Sequence, residues 1–200
     1  MRYLSLVFLA LIIATLQGCV AVVATGAAGG GILVAEDRRT NAAMLEDEGI
    51  ELKAQSRISD NFKQYSDTIH LNVTSYDRNV LITGEVPSEE VKSGIEKTVK
   101  DVQNVRSVTN ELVVAEPTSL GSRSNDTLIT SKVKTRFIEA RKFQPNWAKV
   151  VTENKVVYLM GIVNHTEATD AAEIASTTSG VEKVVKVFEY TDEADTKISH

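Results

Sequence analysis

The feature that most constrains the fold of this 200-residue chain is an internal repeat. Two apolar, β-rich runs flank a short polar turn in residues 71–86, and the same arrangement returns in residues 150–163. Paired runs of this kind are typical of a β-hairpin. Gly84 and Gly161 occupy matching positions near the end of the second run, where we expect close backbone approach or a positive φ. The sequence therefore predicts two copies of one folding unit.

Helical patterns flank each hairpin, one before it and one after it. The predicted apolar stripes are Ile50, Ala54 and Ile58; Val91, Ile95 and Val99; Ile129, Val133 and Phe137; and Ala168, Ala171, Ala172 and Ala175. Ser88 is expected to cap the second helix of the first copy, and Asn164 with Glu167 has the spacing of a capping box. Asn104 and Gly180 stand where these helices should end. A last strand is predicted in residues 105–114 and 181–190.

The element order is helix, strand, strand, helix, strand in both copies. A strand–helix–strand connection requires a crossover, so the last strand should run parallel to the one before it. We therefore predict an α+β protein with two tandem αββαβ domains, each a three-stranded mixed sheet packed on two helices. The predicted boundaries are residues 46–114 and 124–190 for the two domains, 115–123 for a linker and 191–200 for a disordered tail.

The N-terminus resembles a lipoprotein signal peptide. Arg2 precedes an apolar run over residues 4–16, which is short for a membrane span. The run closes with Leu16-Gln17-Gly18-Cys19, which resembles a bacterial lipobox and contains the only cysteine of the chain. We predict a signal peptide over residues 1–18, acylation of Cys19 by chains such as palmitate, and a flexible tether over residues 19–45. The alternatives are an ordinary signal peptide or a membrane span with a buried cysteine.

Several motifs resemble the BON domain family. The second hairpin has the ending Val-x-Leu-x-Gly, and Gly180-Val181-Glu182-Lys183-Val184 follows the last helix, with Asn104 replacing this glycine in the first copy. Together with the lipobox, Asp37-Arg38-Arg39-Thr40 and Ser124-Asn125-Asp126-Thr127, these motifs extend the resemblance to BON-domain outer-membrane lipoproteins over essentially the whole chain.

The resemblance implies a non-enzymatic protein that is anchored in the outer membrane and faces the periplasm. Val20 agrees with this location, since an aspartate at that position favours retention in the inner membrane. The resemblance also implies binding of anionic phospholipid through the second BON domain and support of cell envelope integrity. Recruitment to cell division sites and contact with the β-barrel assembly machinery are further implied roles.

Charge is distributed unevenly between the two copies. The net charge of −5 becomes −6 when residues 1–18 are removed, which argues against nucleic acid as a partner. Residues 46–72 contain six acids and three bases, whereas residues 123–149 contain seven bases and two acids. A basic segment in only one copy indicates a partner for that copy.

This basic segment predicts a binding face on the first helix of the second copy. When the apolar stripe of this helix faces the core, the rotation of 100° per residue places six other side chains on the opposite side. These side chains are Leu128, Ser131, Lys132, Lys134, Thr135 and Ile138. We expect no acid among them, so the lysines can attract lipid phosphate while the aliphatic side chains enter the acyl boundary. Similar family members carry tryptophan at Leu128.

Two other interpretations of this face remain open. The helix is either a solvated basic surface, or it docks on an acidic protein surface in an adaptor of the outer-membrane assembly machinery. No catalytic or metal-binding motif stands out in the sequence. His70, His165 and His200 lack a second histidine or a carboxylate at ligand spacing, so we expect surface histidines, no metal and no cofactor.

Overall fold

The computed structural model describes residues 37–191. They belong to one compact unit, Ala35–His200. The predictions for the signal peptide, for Cys19, for the tether up to residue 36 and for the tail from residue 192 fall outside the described residues.

Each repeat has the element order that the sequence predicts. The first repeat consists of α1 (Asn41–Asn61), a 3₁₀ helix (Lys63–Tyr65), β1 (His70–Tyr76), β2 (Asn79–Val86), α2 (Glu89–Lys100) and β3 (Ser107–Val114). The second repeat consists of α3 (Leu120–Ala140), a 3₁₀ helix (Pro145–Trp147), β4 (Ala148–Glu153), β5 (Val156–Val163), α4 (His165–Ser176) and β6 (Lys183–Tyr190). No helix within residues 37–191 is long and apolar enough to cross a bilayer.

The two sheets are mixed, as predicted. In the first, β2 is antiparallel to β1 and parallel to β3; in the second, β5 is antiparallel to β4 and parallel to β6. The predicted α+β fold with two αββαβ units is therefore confirmed.

The first helix of each repeat begins earlier than we expected. The Thr40 hydroxyl accepts a hydrogen bond from the Ala43 N–H, so α1 includes residues 41–45 of the predicted tether. The Ser119 hydroxyl accepts from the Ser122 N–H in the same way, and α3 therefore starts inside the predicted linker. No apolar stripe continues into these first turns, so the sequence pattern did not indicate either cap.

Each repeat has its own hydrophobic core between its helices and one face of its sheet. The stripes of α1 and α2 pack on Val73, Val80, Ile82 and Val86 in the first core. The stripes of α3 and α4 pack on Val150, Val157, Leu159 and Val163 in the second core, together with Phe143 and Trp147.

A third apolar cluster joins the two sheets. It consists of Tyr76, Leu81, Tyr158 and Met160, with partly buried residues that include Val151 and Val185 around it. These side chains project from the sheet faces opposite the helices, because side chains alternate along a strand. The two sheets therefore pack against each other, and β2 and β5 are buried on both faces.

The glycines singled out in the sequence lie at crowded or left-handed positions. Gly84 has φ of 123°, and a Cβ atom there would lie 2.1 Å from the carbonyl oxygen of His70. A Cβ atom at Gly161 would lie 2.1 Å from the carbonyl oxygen of Trp147. Gly180 has φ of 100°, and Asn104, at the matching place in the first repeat, has φ of 70°. Asparagine tolerates this conformation better than most residues, which explains the exchange.

Candidate functional site

The outer side of α3 is a solvent-exposed face of mixed chemistry. We call Leu128, Ser131, Lys132, Lys134, Thr135 and Ile138 the α3 face; all six are exposed. Leu128 and Ile138 are large apolar side chains with 61% and 63% of their surface exposed. The opposite side of the helix is buried through Ile129, Val133 and Phe137.

Two lysines of the α3 face remain available to a partner. Within residues 37–191, neither Lys132 nor Lys134 forms an ion pair or a side-chain hydrogen bond. Three other basic residues of the segment are engaged. Arg136 donates to Ile174 O and to the hydroxyls of Thr177 and Thr178, Lys142 pairs with Asp170, and Lys149 pairs with Glu51. The segment's net charge of +5 therefore overstates the positive charge that it offers to a ligand.

None of the six side chains of the α3 face is an acid, but Glu139 is exposed beside them on the same helix. It stands four residues after Thr135 and seven after Lys132, which places it on their side of the helix. We expect it to reduce the positive potential at the C-terminal end of the face, so the lysines and Leu128 form its more favourable part.

A buried aspartate fixes α3 on the hairpin of its repeat. The Asp126 carboxylate accepts hydrogen bonds from the N–H groups of Asn154 (2.9 Å) and Lys155 (2.8 Å). Both residues have positive φ, as a tight two-residue turn requires. In the first repeat, Asp47 accepts in the same way from Asp77 and Arg78, again residues with positive φ. This repeated contact attaches the first helix of each repeat to the turn of its hairpin, and no sequence pattern indicated it.

Two consecutive arginines attach the start of the described chain to both repeats. Arg38 donates to Glu167 and to Ile162 O in the second repeat, and its guanidinium lies 3.6 Å from the centre of the Trp147 ring. Arg39 pairs with Asp47 in the first repeat and lies 4.1 Å from the centre of the Tyr76 ring. This segment therefore connects the two repeats.

The environment of His70 also differs from the prediction. His70 is half-buried, and its Nδ1 lies 3.1 Å from Glu85 Oε2 and 3.8 Å from Glu153 Oε1. The expectation of a surface histidine without a carboxylate nearby was therefore wrong. Glu85 is the cross-strand neighbour of His70, and Glu153 comes from the other repeat. His165 is exposed, as expected, and stacks on Tyr190 with ring centroids 4.5 Å apart.

Known proteins resemble this chain over most of its length. The family model described as BON domain matches residues 46–116 and 125–192. The chain is 38% identical over 180 residues to Outer membrane lipoprotein DolP of Haemophilus influenzae, covering 88% of this chain and 91% of that protein. It is 29% identical over 154 residues to the 21 kDa hemolysin of Actinobacillus pleuropneumoniae, covering 77% and 79% of the two chains. It is 29% identical over 143 residues to Osmotically-inducible protein Y of Escherichia coli, covering 70% of each.

Proposed function

Because the chain belongs to the BON domain family, with two copies of the domain, we propose that it is a non-enzymatic outer-membrane lipoprotein whose α3 face binds anionic phospholipid. The similarity to DolP over most of both chains supports the location at the outer membrane. The binding role rests on one observation above all. Lys132 and Lys134, which have no ion-pair partner among residues 37–191, lie beside two exposed aliphatic side chains on one helix.

The chemistry of the α3 face suits the interface of a bilayer. A lysine near an anionic membrane surface contributes about 1 kcal/mol of attraction. Leu128 and Ile138 can leave water for the acyl boundary when Lys132 and Lys134 meet the phosphates, because the four side chains share one side of the helix. Burial of both aliphatic side chains adds about 25 cal/mol for each Å² of apolar surface removed from water.

Vesicle co-sedimentation tests the proposal without interference from the anchor. A fragment of residues 35–200 is suitable, since this range forms one compact unit. We expect it to pellet with vesicles that contain phosphatidylglycerol and to stay in the supernatant with pure phosphatidylcholine. Added salt should release it, because the Debye length falls from about 10 Å at 0.1 M to about 3 Å at 1 M. Equal behaviour with both vesicles would contradict the proposal and favour the protein adaptor.

The anchor has its own test. We propose that Cys19 carries the lipid, so Cys19→Ser in the full chain should leave an uncleaved precursor and remove the protein from the outer-membrane fraction. Normal processing and normal fractionation of this variant would contradict the lipobox interpretation. The lipid-binding test above does not depend on this result, because its fragment lacks Cys19.

The resemblance also supports wider roles in the cell envelope. We propose that the protein supports envelope integrity, gathers at division sites and contacts the β-barrel assembly machinery. Fluorescence microscopy of a tagged full chain in dividing cells tests the location: enrichment at the septum is expected. Uniform peripheral fluorescence through the division cycle would contradict it.

A further inference from the structure

Three ligand-type side chains converge at one end of the interface between the two sheets. His70 begins β1, Glu85 lies opposite it on β2, and Glu153 ends β4. One ligand atom from each residue can be chosen so that all three atoms lie within 4.8 Å of one another. The first repeat therefore supplies two of these side chains and the second repeat supplies the third.

Both carboxylates are buried beside a single imidazole. Glu85 and Glu153 are 4% and 6% exposed, respectively. Within residues 37–191, no lysine or arginine forms an ion pair with either one. The Asp126 carboxylate on α3 adds negative charge nearby. Negative charge therefore exceeds positive charge around this imidazole, and buried charge without a partner is costly unless a cation compensates.

One carboxylate oxygen in this site has no hydrogen-bond donor among the described residues. Glu153 Oε2 accepts from Asn72 Nδ2 at 2.9 Å and from the Thr83 hydroxyl at 3.5 Å. Among the described residues, Glu153 Oε1 has no donor; its neighbour is His70 Nδ1 at 3.8 Å, which is beyond hydrogen-bond distance. The carboxylate is therefore held through one oxygen and presents the other to the site.

Supporting contacts orient the second carboxylate as well. The N–H and the hydroxyl of Thr118 donate to Glu85 Oε2 at 3.2 and 3.3 Å. Ligating carboxylates and histidines in metal sites are held by such outer hydrogen bonds, which fix their orientation before the ion arrives.

We propose that His70, Glu85 and Glu153 bind a divalent transition-metal ion such as Zn²⁺, shared by the two repeats. One imidazole nitrogen and two carboxylate oxygens form a donor set that suits Zn²⁺, with water as a fourth ligand. In a tetrahedral site with bonds of about 2.0–2.2 Å, the ligand atoms are about 3.3 Å apart. The three ligand atoms now lie within 4.8 Å of one another, so small side-chain rotations would bring them to this spacing. The bound ion neutralises the buried carboxylates and joins β1 and β2 to β4. It therefore locks the placement of one repeat on the other.

Calorimetric titration with ZnCl₂ tests the site on untagged residues 35–200 after treatment with EDTA and desalting. We expect one Zn²⁺ per chain, a higher melting temperature with Zn²⁺, and a much weaker response to MgCl₂. His70→Gln and Glu153→Gln should each lower the affinity by about tenfold or more, since each removes a ligand. The matched control replaces both other histidines of the chain, His165→Gln with His200→Gln, and should bind like wild type.

Circular dichroism in EDTA checks that each variant folds. His70→Gln and Glu153→Gln change different strands, so folding of either one suffices for the comparison. The proposal is overturned if wild type takes up no Zn²⁺ at millimolar concentration. It is equally overturned if a folded ligand variant binds Zn²⁺ as tightly as wild type, or if the control loses binding as much as the ligand variants.

Discussion

The guanidinium of Arg38 donates hydrogen bonds to both carboxylate oxygens of Glu167, at 2.6 and 2.8 Å. Glu167 also accepts from the N–H of Asn164 and completes the capping box at the start of α4. One carboxylate thus binds both the first turn of α4 and a segment of the predicted tether. The segment around Arg38 is therefore attached to the second repeat through this ion pair.

Arg38→Ala should destabilise the protein clearly. Glu167 is buried and would lose its cationic partner, and Trp147 would lose the guanidinium that lies on its ring. Removing one partner of a buried ion pair costs about 3–5 kcal/mol, and we expect about 3 kcal/mol because Arg38 is partly exposed. Urea unfolding of residues 35–200 measures the loss. Lys53→Ala, on the exposed side of α1, serves as control; a loss no larger than that of the control would contradict this role.

Asp126→Ala should loosen the hairpin of the second repeat. The substitution removes the acceptor of the N–H groups of Asn154 and Lys155, which form partly buried hydrogen bonds to Asp126. We expect the free energy of unfolding to fall by about 1–3 kcal/mol, from the loss of two hydrogen bonds at about 0.5–1.5 kcal/mol each. Asp126→Asn keeps one side-chain oxygen and should lose less. Equal losses for the two variants would mean that the contact to the turn is not what stabilises the hairpin.

The interface between the sheets predicts the titration of Tyr158. Burial raises the pKa of this phenol to about 12, with smaller contributions from Glu111 and Glu153. The folded protein therefore keeps a proton that the unfolded chain releases near pH 10, and stability should fall as the pH rises from about 10 to about 12. Ultraviolet titration should show a tyrosine that ionises well above pH 10 in wild type, and this transition should be missing in Tyr158→Phe. If Tyr158 titrates near pH 10 in the folded protein, the sheets do not pack as described.

The sequence predicted the elements that depend on local periodicity. The stripe of Ile129, Val133 and Phe137 indicated both the helix and its buried side, and Asn164 with Glu167 indicated the start of α4. These features need only residues within a few positions of each other. The sequence indicated the contact between the sheets less clearly. The run Val157–Met160 is apolar throughout, which is typical of a strand buried on both faces but does not show what covers its second face.

The contacts that organise the sites lie far apart in sequence. Arg38 and Glu167 are 129 residues apart, and Asn72 and Glu153 are 81 residues apart. No spacing rule connects such residues, because their meeting depends on how one repeat packs on the other. For this reason the prediction of the α3 face needed only helix geometry, whereas the cluster around His70 required the structure.

Leu128→Trp should strengthen membrane binding. Leu128 is exposed on the α3 face, and an indole is favourable at the level of the headgroups. We expect roughly threefold to tenfold tighter binding to phosphatidylglycerol vesicles, which corresponds to about 1 kcal/mol. Leu52→Trp, at an equally exposed leucine of α1, is the matched control and should leave binding unchanged. Tightening by both variants to the same degree would show that any exposed indole suffices.

Charge reversal on α3 tests the central claim most directly. The measurement compares the affinity of residues 35–200 for phosphatidylglycerol vesicles in two double variants of equal net charge. Lys132→Glu with Lys134→Glu should weaken binding by at least about tenfold, because two attractions of about 1 kcal/mol each are replaced by repulsion. Lys53→Glu with Lys97→Glu, at exposed helix positions of the first repeat, should bind nearly as wild type does. Equal affinities of the two double variants would contradict the account, since binding would then follow the total charge and not the α3 face.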